Sequence, residues 1–448
     1  MPAIFVHLSD IHFGQERDER VHIHADVKNE LIRDAQDVVR SLPGGIAHGI
    51  LVSGDIAHSG VQQQYSDAAV WLDKLARAVG CQIHRIQMVP GNHDVDRSKL
   101  SRSAELLLDA IRNGGAAEYE KVLANGLDRT ALFARFESFA QFCEGYDCPL
   151  DTEGRYSTNL LVELAPGRSI RFIRMNSSLL CTGSESDADP ELMVGERQFT
   201  VARKSGEEAV ILIHHPLNWI RDNEDARRYL RSRARVMISG HEHNPKVHIE
   251  AVEDGTDFMR LAAGATIPFK SDKIFTFCYN IIEFDWDFEN DALAVTVHPR
   301  TWNAPLTRFE ADEQRLGGKD PRFVLGSPNF RRAPRSQVQA ESVEVGITEV
   351  EPIVEIVAAL DTERDLAVPP EDTGYRLVLL RFFRDLSEGE RLTLLVNLGA
   401  IDTGSEERIT QAGERQLLDW LVSKGRIKEV EAMMEMLISK RIGGSDNE

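Results

Sequence analysis

Five short stretches in the first 243 residues carry side chains able to bind cations and move protons. They are Asp10-Ile-His12, Gly54-Asp55, Gly91-Asn92-His93-Asp94, His214-His215-Pro216 and Gly240-His241-Glu-His243. Asp10, His12, Asp55, Asn92, His214, His241 and His243 pool imidazoles, two carboxylates and a neutral amide. That is more than one tetrahedral ion uses, and oxygen and nitrogen donors suit Mn, Fe, Zn or Co over a thiolate-seeking metal. Two divalent or trivalent ions sharing a carboxylate account for the number of ligands. Asp55, central in the series, is the natural bridge. Two cations about 3.5–4 Å apart deprotonate a bridging water and stabilise both the attacking and leaving oxygens of a displacement at phosphorus. His93 then fits as proton donor to the leaving alkoxide, with Asp94 orienting its ring.

Each motif follows an apolar run that reads as a buried strand: residues 3–9, 49–53, 83–89, 208–213 and 236–239. A further strand is expected at 169–175, ending in Asn176-Ser177-Ser178. Helical patterns at 24–40 and 63–79 separate the first three strands, which implies parallel pairing with helical crossovers. In such a sheet the carboxyl ends of strands carry the chemistry. On an extended backbone residues i and i+2 share a side, so Asp10 with His12 and His241 with His243 can each reach one ion. Helix-forming residues 97–145 read as an insertion over the strand ends, as a scaffold layer in preference to a substrate lid. His58 is expected to face solvent or at most support the site, and His22 and His24 have no carboxylate-bearing strand beside them.

In this order the five motifs resemble the calcineurin-like metallophosphoesterases, over roughly residues 1–300. The resemblance implies an α/β fold with two packed β-sheets flanked by helices. It gives the first metal Asp10, His12, Asp55 and His243, the second Asp55, Asn92, His214 and His241, and makes His93 the catalytic imidazole. It also implies that His214 is the ligand of its pair and His215 a support. Members of that family cleave phosphomonoesters, cyclic nucleotides, phospholipid headgroups, nucleotide pyrophosphates or nucleic acid. A small phosphodiester is the preferred substrate, with a nuclease as the alternative. The arginines at 227, 228, 231, 233 and 235 would contact a phosphate backbone in a nuclease. A solvated helix face paired with Asp222, Glu224 and Asp225 is the preferred reading of them.

The chain of 448 residues is long for one domain, and a formal charge of -20 argues against a protein that coats nucleic acid or anionic membrane. No apolar run approaches the roughly 18–20 residues that span a bilayer, and no secretory signal opens the chain, so a cytoplasmic protein without membrane contact is expected. Its five cysteines lack metal-ribbon spacing and read as reduced thiols. Residues 301–372 read as an irregular, acidic linker. Residues 373–442 then read as a small all-α domain, with a capping box at Ser387 and Glu390 and stops at Gly399 and Gly425. The run from Glu414 through Trp420 to Gly425-Arg426-Ile427 resembles the death-like, effector-associated adaptors of bacterial signalling and defence proteins, and implies docking to a protein partner. Two readings follow: a phosphoesterase with a docking tail, or an adaptor whose metal site is regulatory. The complete ligand set favours the first.

Overall fold

The computed structural model describes residues 1–15, 21–243, 245–252, 255–268, 276–312, 314–317, 319–332, 373–401, 409 and 411–443. The chain divides into two compact units, Met1–Ala333 and Pro334–Glu448. In the first, the strands are β1 (Ala3–Leu8), β2 (Gly49–Val52), β3 (Ile86–Met88), β4 (Leu161–Ala165), β5 (Arg168–Arg174), β6 (Glu207–Leu212) and β7 (Ala234–Ser239). They continue with β8 (Lys246–Val252), β9 (Thr256–Ala262), β10 (Cys278–Asp287), β11 (Ala292–Asn303), β12 (Arg308–Ala311) and β13 (Arg322–Leu325). Two mixed sheets result, one in the order β12-β11-β10-β1-β2-β3 with β13 also on β11, the other β4-β5-β6-β7-β9-β8. The pairs β1–β2 and β2–β3 are parallel, as are β5–β6 and β6–β7. The carboxyl ends of the motif-bearing strands therefore gather on a common edge of each sheet.

The sheets close on a shared core that includes Phe5, Leu51 and Ile282 from one and Phe172, Val210 and Val236 from the other. Phe5 anchors it, with ring centroids 4.9 Å from Phe172 and 5.6 Å from Phe284. Successive strand residues point to opposite faces, so the neighbours Ile173, Ile211 and Met237 lie on the far side of the second sheet. There they meet Leu108, Ile111, Val122 and Phe136 of the helical insertion, whose helices are α3 (Arg102–Ala124), α4 (Gly126–Phe133) and α5 (Glu137–Glu144). These follow α1 (Val21–Ser41) and α2 (Gln62–Ala78) and precede α6 (Glu196–Phe199), α7 (Asn223–Arg233) and α8 (Pro328–Arg332). The insertion is thus a layer on a sheet face.

Two expectations need correction. The strand read at 83–89 begins as a 3-10 turn, Ile83–Arg85, and only Ile86–Met88 pair. The first unit does not end near 300: β11 runs through Asn303, β13 pairs with it, and Leu325 and Phe330 are buried in the sandwich core. These apolar residues are few and sit among charges, which hides them from a pattern search. The acidic stretch 341–372 lies outside the described residues.

The second unit contains α9 (Thr373–Asp385), α10 (Glu388–Asn397), α11 (Gln411–Ser423) and α12 (Ile427–Gly443). Leu379, Phe383, Leu394, Leu418, Leu421 and Met434 give it a core of its own. The capping box forms, with the Ser387 amide donating to Glu390 Oε2 at 2.8 Å. Gly399 and Gly425 take φ of 64° and 74° at the ends of α10 and α11, the left-handed conformation that terminates helices. No helix among the described residues is long and apolar enough to cross a membrane.

Candidate active site

The loops leaving β1 and β2 are zipped together by their backbones. The amides of Asp10, Ile11, His12 and Phe13 donate to the carbonyls of Gly54, Asp55, Asp55 and Ile56 at 3.0, 2.8, 3.0 and 2.9 Å. Asp10, His12, Asp55, His241 and His243 all take positive φ, from 51° to 71°. The expected extended geometry is therefore wrong: these side chains converge because the backbone coils left-handed, not because it alternates. Such conformations cost a non-glycine residue on the order of 1 kcal/mol or more and persist where surrounding bonds enforce them.

The converging atoms come from both sheets. Asp55 Oδ2 lies 3.3 Å from His12 Nε2 and 3.4 Å from His214 Nε2. Asn92 Oδ1 lies 3.1 Å from His214 Nε2 and 3.1 Å from His241 Nδ1. Asp10 Oδ1 is 3.2 Å from His243 Nε2, while its Oδ2 accepts from Ser9 Oγ at 2.6 Å. His12 Nδ1 sits 3.1 Å from the Ile267 carbonyl and His214 Nδ1 2.8 Å from that of Ser53. Those carbonyls accept from Nδ1–H, which leaves both Nε2 atoms as donors to a cation. The donor atoms form overlapping groups within 4.8 Å, among them Asp10, His12 and His243, and Asp10, Asp55 and His214. This nitrogen and oxygen set fits a divalent ion. Gly91 is required where it stands, since a Cβ there would come within 2.1 Å of Asp55 Oδ1.

His93 and Asp94 are not partners. The His93 ring places Nδ1 2.8 Å from the His58 carbonyl, stacks on the His58 ring with centroids 5.1 Å apart, and meets His12 edge-on. The buried Asp94 carboxylate instead accepts from the amides of Gly91, Ala57 and Ile56 at 2.9, 2.9 and 3.2 Å, and from Tyr65 Oη at 2.9 Å. It ties two motif loops together, which corrects the expectation that it orients the ring. Adjacent residues in the 3-10 turn Asn92–Asp94 point apart. His58 is more than a loop residue, because its carbonyl and ring both hold His93. His215 turns Nδ1 to Ser177 Oγ at 2.9 Å and packs on His241, with centroids 4.5 Å apart. The sequence motifs missed Ser9 and Tyr65, and the carbonyls of Ser53, His58 and Ile267. Carbonyls carry no sequence signal.

Burial opposes charge on Asp10 and Asp55, yet His243 beside the first and His214 and His12 beside the second hold both carboxyls below the usual range. Burial also opposes a proton on His214, but Asp55 raises it to about 9. Burial and the neighbouring His214 push His241 down to about 4, and burial pushes His7 to about 3. In metal-free protein the His214 contribution is complete below its unfolded value near 6.5 and is lost as pH rises towards 9. The His241 and His7 contributions are complete above about 6.5 and fade as pH falls through about 4. Thermal midpoints in chelator should therefore peak near pH 6.5, and His214→Gln should weaken the alkaline limb, part of which His12 keeps, and also shift the acid limb through His241.

Four of the five arginines in the run have side-chain partners among the described residues. Arg227 pairs with Glu250 at 2.9 Å, Arg228 with Asp225, and Arg233 donates to the Val201 carbonyl at 2.6 Å. Arg235 belongs to β7, not the helix, and is wholly buried on Glu208 at 3.2 Å. Arg227 and Arg228 lie on the solvated helix face expected, Arg228 with Asp225 as its partner, whereas Arg235 departs from it.

Two packed sheets whose strand ends pool imidazole, carboxylate and amide donors define a candidate hydrolase of the metal-assisted class. The chain belongs to the calcineurin-like phosphoesterase family, whose profile matches residues 4–245. That family usually works with divalent metals. Residues 374–436 match the GTPase-associated adaptor domain. An uncharacterised metallophosphoesterase-like protein of Bacillus subtilis, YydB, is 24% identical over 343 residues, 74% of this chain and 65% of the relative. The chain therefore spans somewhat under two thirds of the length of that relative. Among solved structures, purple acid phosphatase PPD1 of yellow lupin aligns with 9% identity and a TM-score of 0.39, covering 76% of this chain and 57% of its own. A Vps29 mutant from Entamoeba histolytica aligns with 10% identity and a TM-score of 0.30, covering 72% and 99%.

Proposed function

We propose that the chain is a dinuclear metal-dependent phosphoesterase that cleaves phosphodiesters and docks to a protein partner through its helical tail. The observation that carries this reading is the position of Asp55, one oxygen of which faces His12 from the first sheet and His214 from the second. Asp10, His12, Asp55 and His243 would hold one ion, and Asp55, Asn92, His214 and His241 the other. Bound there, the pair would supply Lewis-acid charge to a phosphoryl group and acidify water at neutral pH. The chain's own contribution is positioning and proton supply. His93 commits Nδ1–H to the His58 carbonyl, so Nε2 is the atom that carries a proton to a leaving alkoxide. A cavity of about 290 Å³ lined by Asn92 and His93 gives an organic leaving group room. Five buried, free cysteines suit a reducing compartment such as the cytoplasm.

The test is metal-stripped protein reloaded with Mn. Two ions per chain and faster hydrolysis of bis(p-nitrophenyl) phosphate than of its monoester support the proposal. Two ions bound with no turnover would replace it with the adaptor reading. The enzyme unit has its own core, so deleting residues 341–448 should leave kcat for the diester within about threefold. Affinity capture by full-length and shortened protein should differ in the partner retained.

A further inference from the structure

We infer that the cavity beside His93 is a leaving-group subsite that selects a second anionic group on the substrate, and that Arg97 is the residue that reads it. The inference rests on the phosphoesterase reading above and narrows its substrate class to esters whose leaving group is itself negatively charged. Arg97 lines the same cavity as Asn92 and His93. Among the described residues it is the only lysine or arginine in that lining, and its exposed side chain has no hydrogen bond or ion pair with any of them. By contrast, Arg227, Arg228, Arg233 and Arg235 all have partners. An unpaired cation on a residue that lines a cavity beside a proton donor is available to a ligand that brings its own negative charge.

The segment holding Arg97 is fixed. Asp96 donates its amide to the Arg135 carbonyl at 2.9 Å, and Arg135 is itself buried, with Nη1 on the Cys181 carbonyl at 2.8 Å. The one acidic residue among the described residues of the lining is also engaged. Asp96 Oδ1 accepts from Ser98 N at 3.0 Å and Ser98 Oγ at 2.6 Å, capping the 3-10 turn Arg97–Lys99. The neighbouring Lys99 is committed to Glu137. Outside that lining, Gly183 lets the guanidinium lie against its backbone, where a Cβ would come within 2.6 Å of Nη1. Val61 and Val95 supply apolar wall for the body of the leaving group. The chain's formal charge of -20 repels anions at long range, so a local cation decides which anionic substituent is accepted.

Full-length, Mn-loaded protein should be assayed on ethyl phenyl phosphate and ethyl 4-carboxyphenyl phosphate, whose leaving groups differ by one carboxylate. In parallel, calorimetry should compare phenylphosphonate and 4-carboxyphenylphosphonate, neither of which can lose its aryl group. Wild type should favour the carboxylated member about tenfold in kcat/KM and in Kd. Arg97→Ala should collapse both ratios below about twofold, through KM in the kinetic arm, and Arg97→Lys should keep part of the preference. Absence of a wild-type preference, or a ratio that Arg97→Ala leaves unchanged while both members weaken, would overturn the assignment. A phosphonate preference without turnover would retain the subsite and sink the esterase reading. Turnover with an unchanged ratio would do the reverse.

Discussion

Replacing Asp55 with asparagine should lower diester hydrolysis at least about a thousandfold, the rate equivalent of roughly 4 kcal/mol, and bring bound metal from two ions per chain to one or fewer. The fold should survive. Asp55 Oδ1 accepts the His93 amide at 2.8 Å, a role the asparagine oxygen can keep. What disappears is the charge at Oδ2 between His12 and His214. The same substitution has a signature without metal: burial would then be opposed on His214 only by Asp10 and the Ser53 carbonyl, without Asp55, which otherwise helps hold its proton up to about 9. Imidazole resonances followed through a pH titration should show that histidine neutral near pH 7. Metal counting and kinetics decide the catalytic half of the prediction. Retention of both ions with full activity would remove Asp55 as the bridge.

The second large effect separates His93 from its neighbour. His93→Ala should cost about 10²–10⁴ in kcat, the usual worth of a positioned acid or base, with metal content unchanged. The loss should be greater for an alkyl leaving group than for p-nitrophenolate, which departs without needing a proton. Asp94→Asn should behave otherwise. An asparagine turns one of the two oxygens into N–H, facing either the amides of Gly91 and Ile56 or that of Ala57, which leaves donor facing donor in a buried site at a cost of about 1–3 kcal/mol. Its thermal midpoint should fall, while the leaving-group dependence of the remaining activity stays like that of wild type.

That contrast shows where the sequence was informative. Asp10, His12, Asp55, Asn92, His214, His241 and His243 announce themselves by type and by their place after apolar runs, and the structure gathers their donor atoms. The pairing of His93 with Asp94 failed because neighbours in sequence diverge in a 3-10 turn, whereas the true partner of the ring is a backbone carbonyl 35 positions away. Left-handed backbone at five of these residues was equally hidden, because aspartate and histidine do not advertise positive φ as glycine does. The helical tail was legible to its caps, since Ser387, Glu390, Gly399 and Gly425 act locally. The strands β12 and β13 were not, because what secures them is pairing with β11. Charge was the least reliable guide: four arginines of one run serve two exposed ion pairs, a carbonyl contact and a fully buried strand position.

The zipped loops and the seam between sheets also bear on how the molecule is made. Asp10 and His243 meet although 233 positions separate them, and Asn92 reaches His214 across 122. A growing chain holds the carboxylate half of the centre long before the imidazole half exists. The first hundred residues leaving a ribosome therefore offer passing metal only Asp10, His12, Asp55, Asn92 and His93, a weaker claim than the finished set. If the site loads as proposed, the full donor set is complete only once residue 243 has emerged and the second sheet has closed on the first, so a chain stopped before that point should bind Mn more weakly than the full-length protein in equilibrium dialysis.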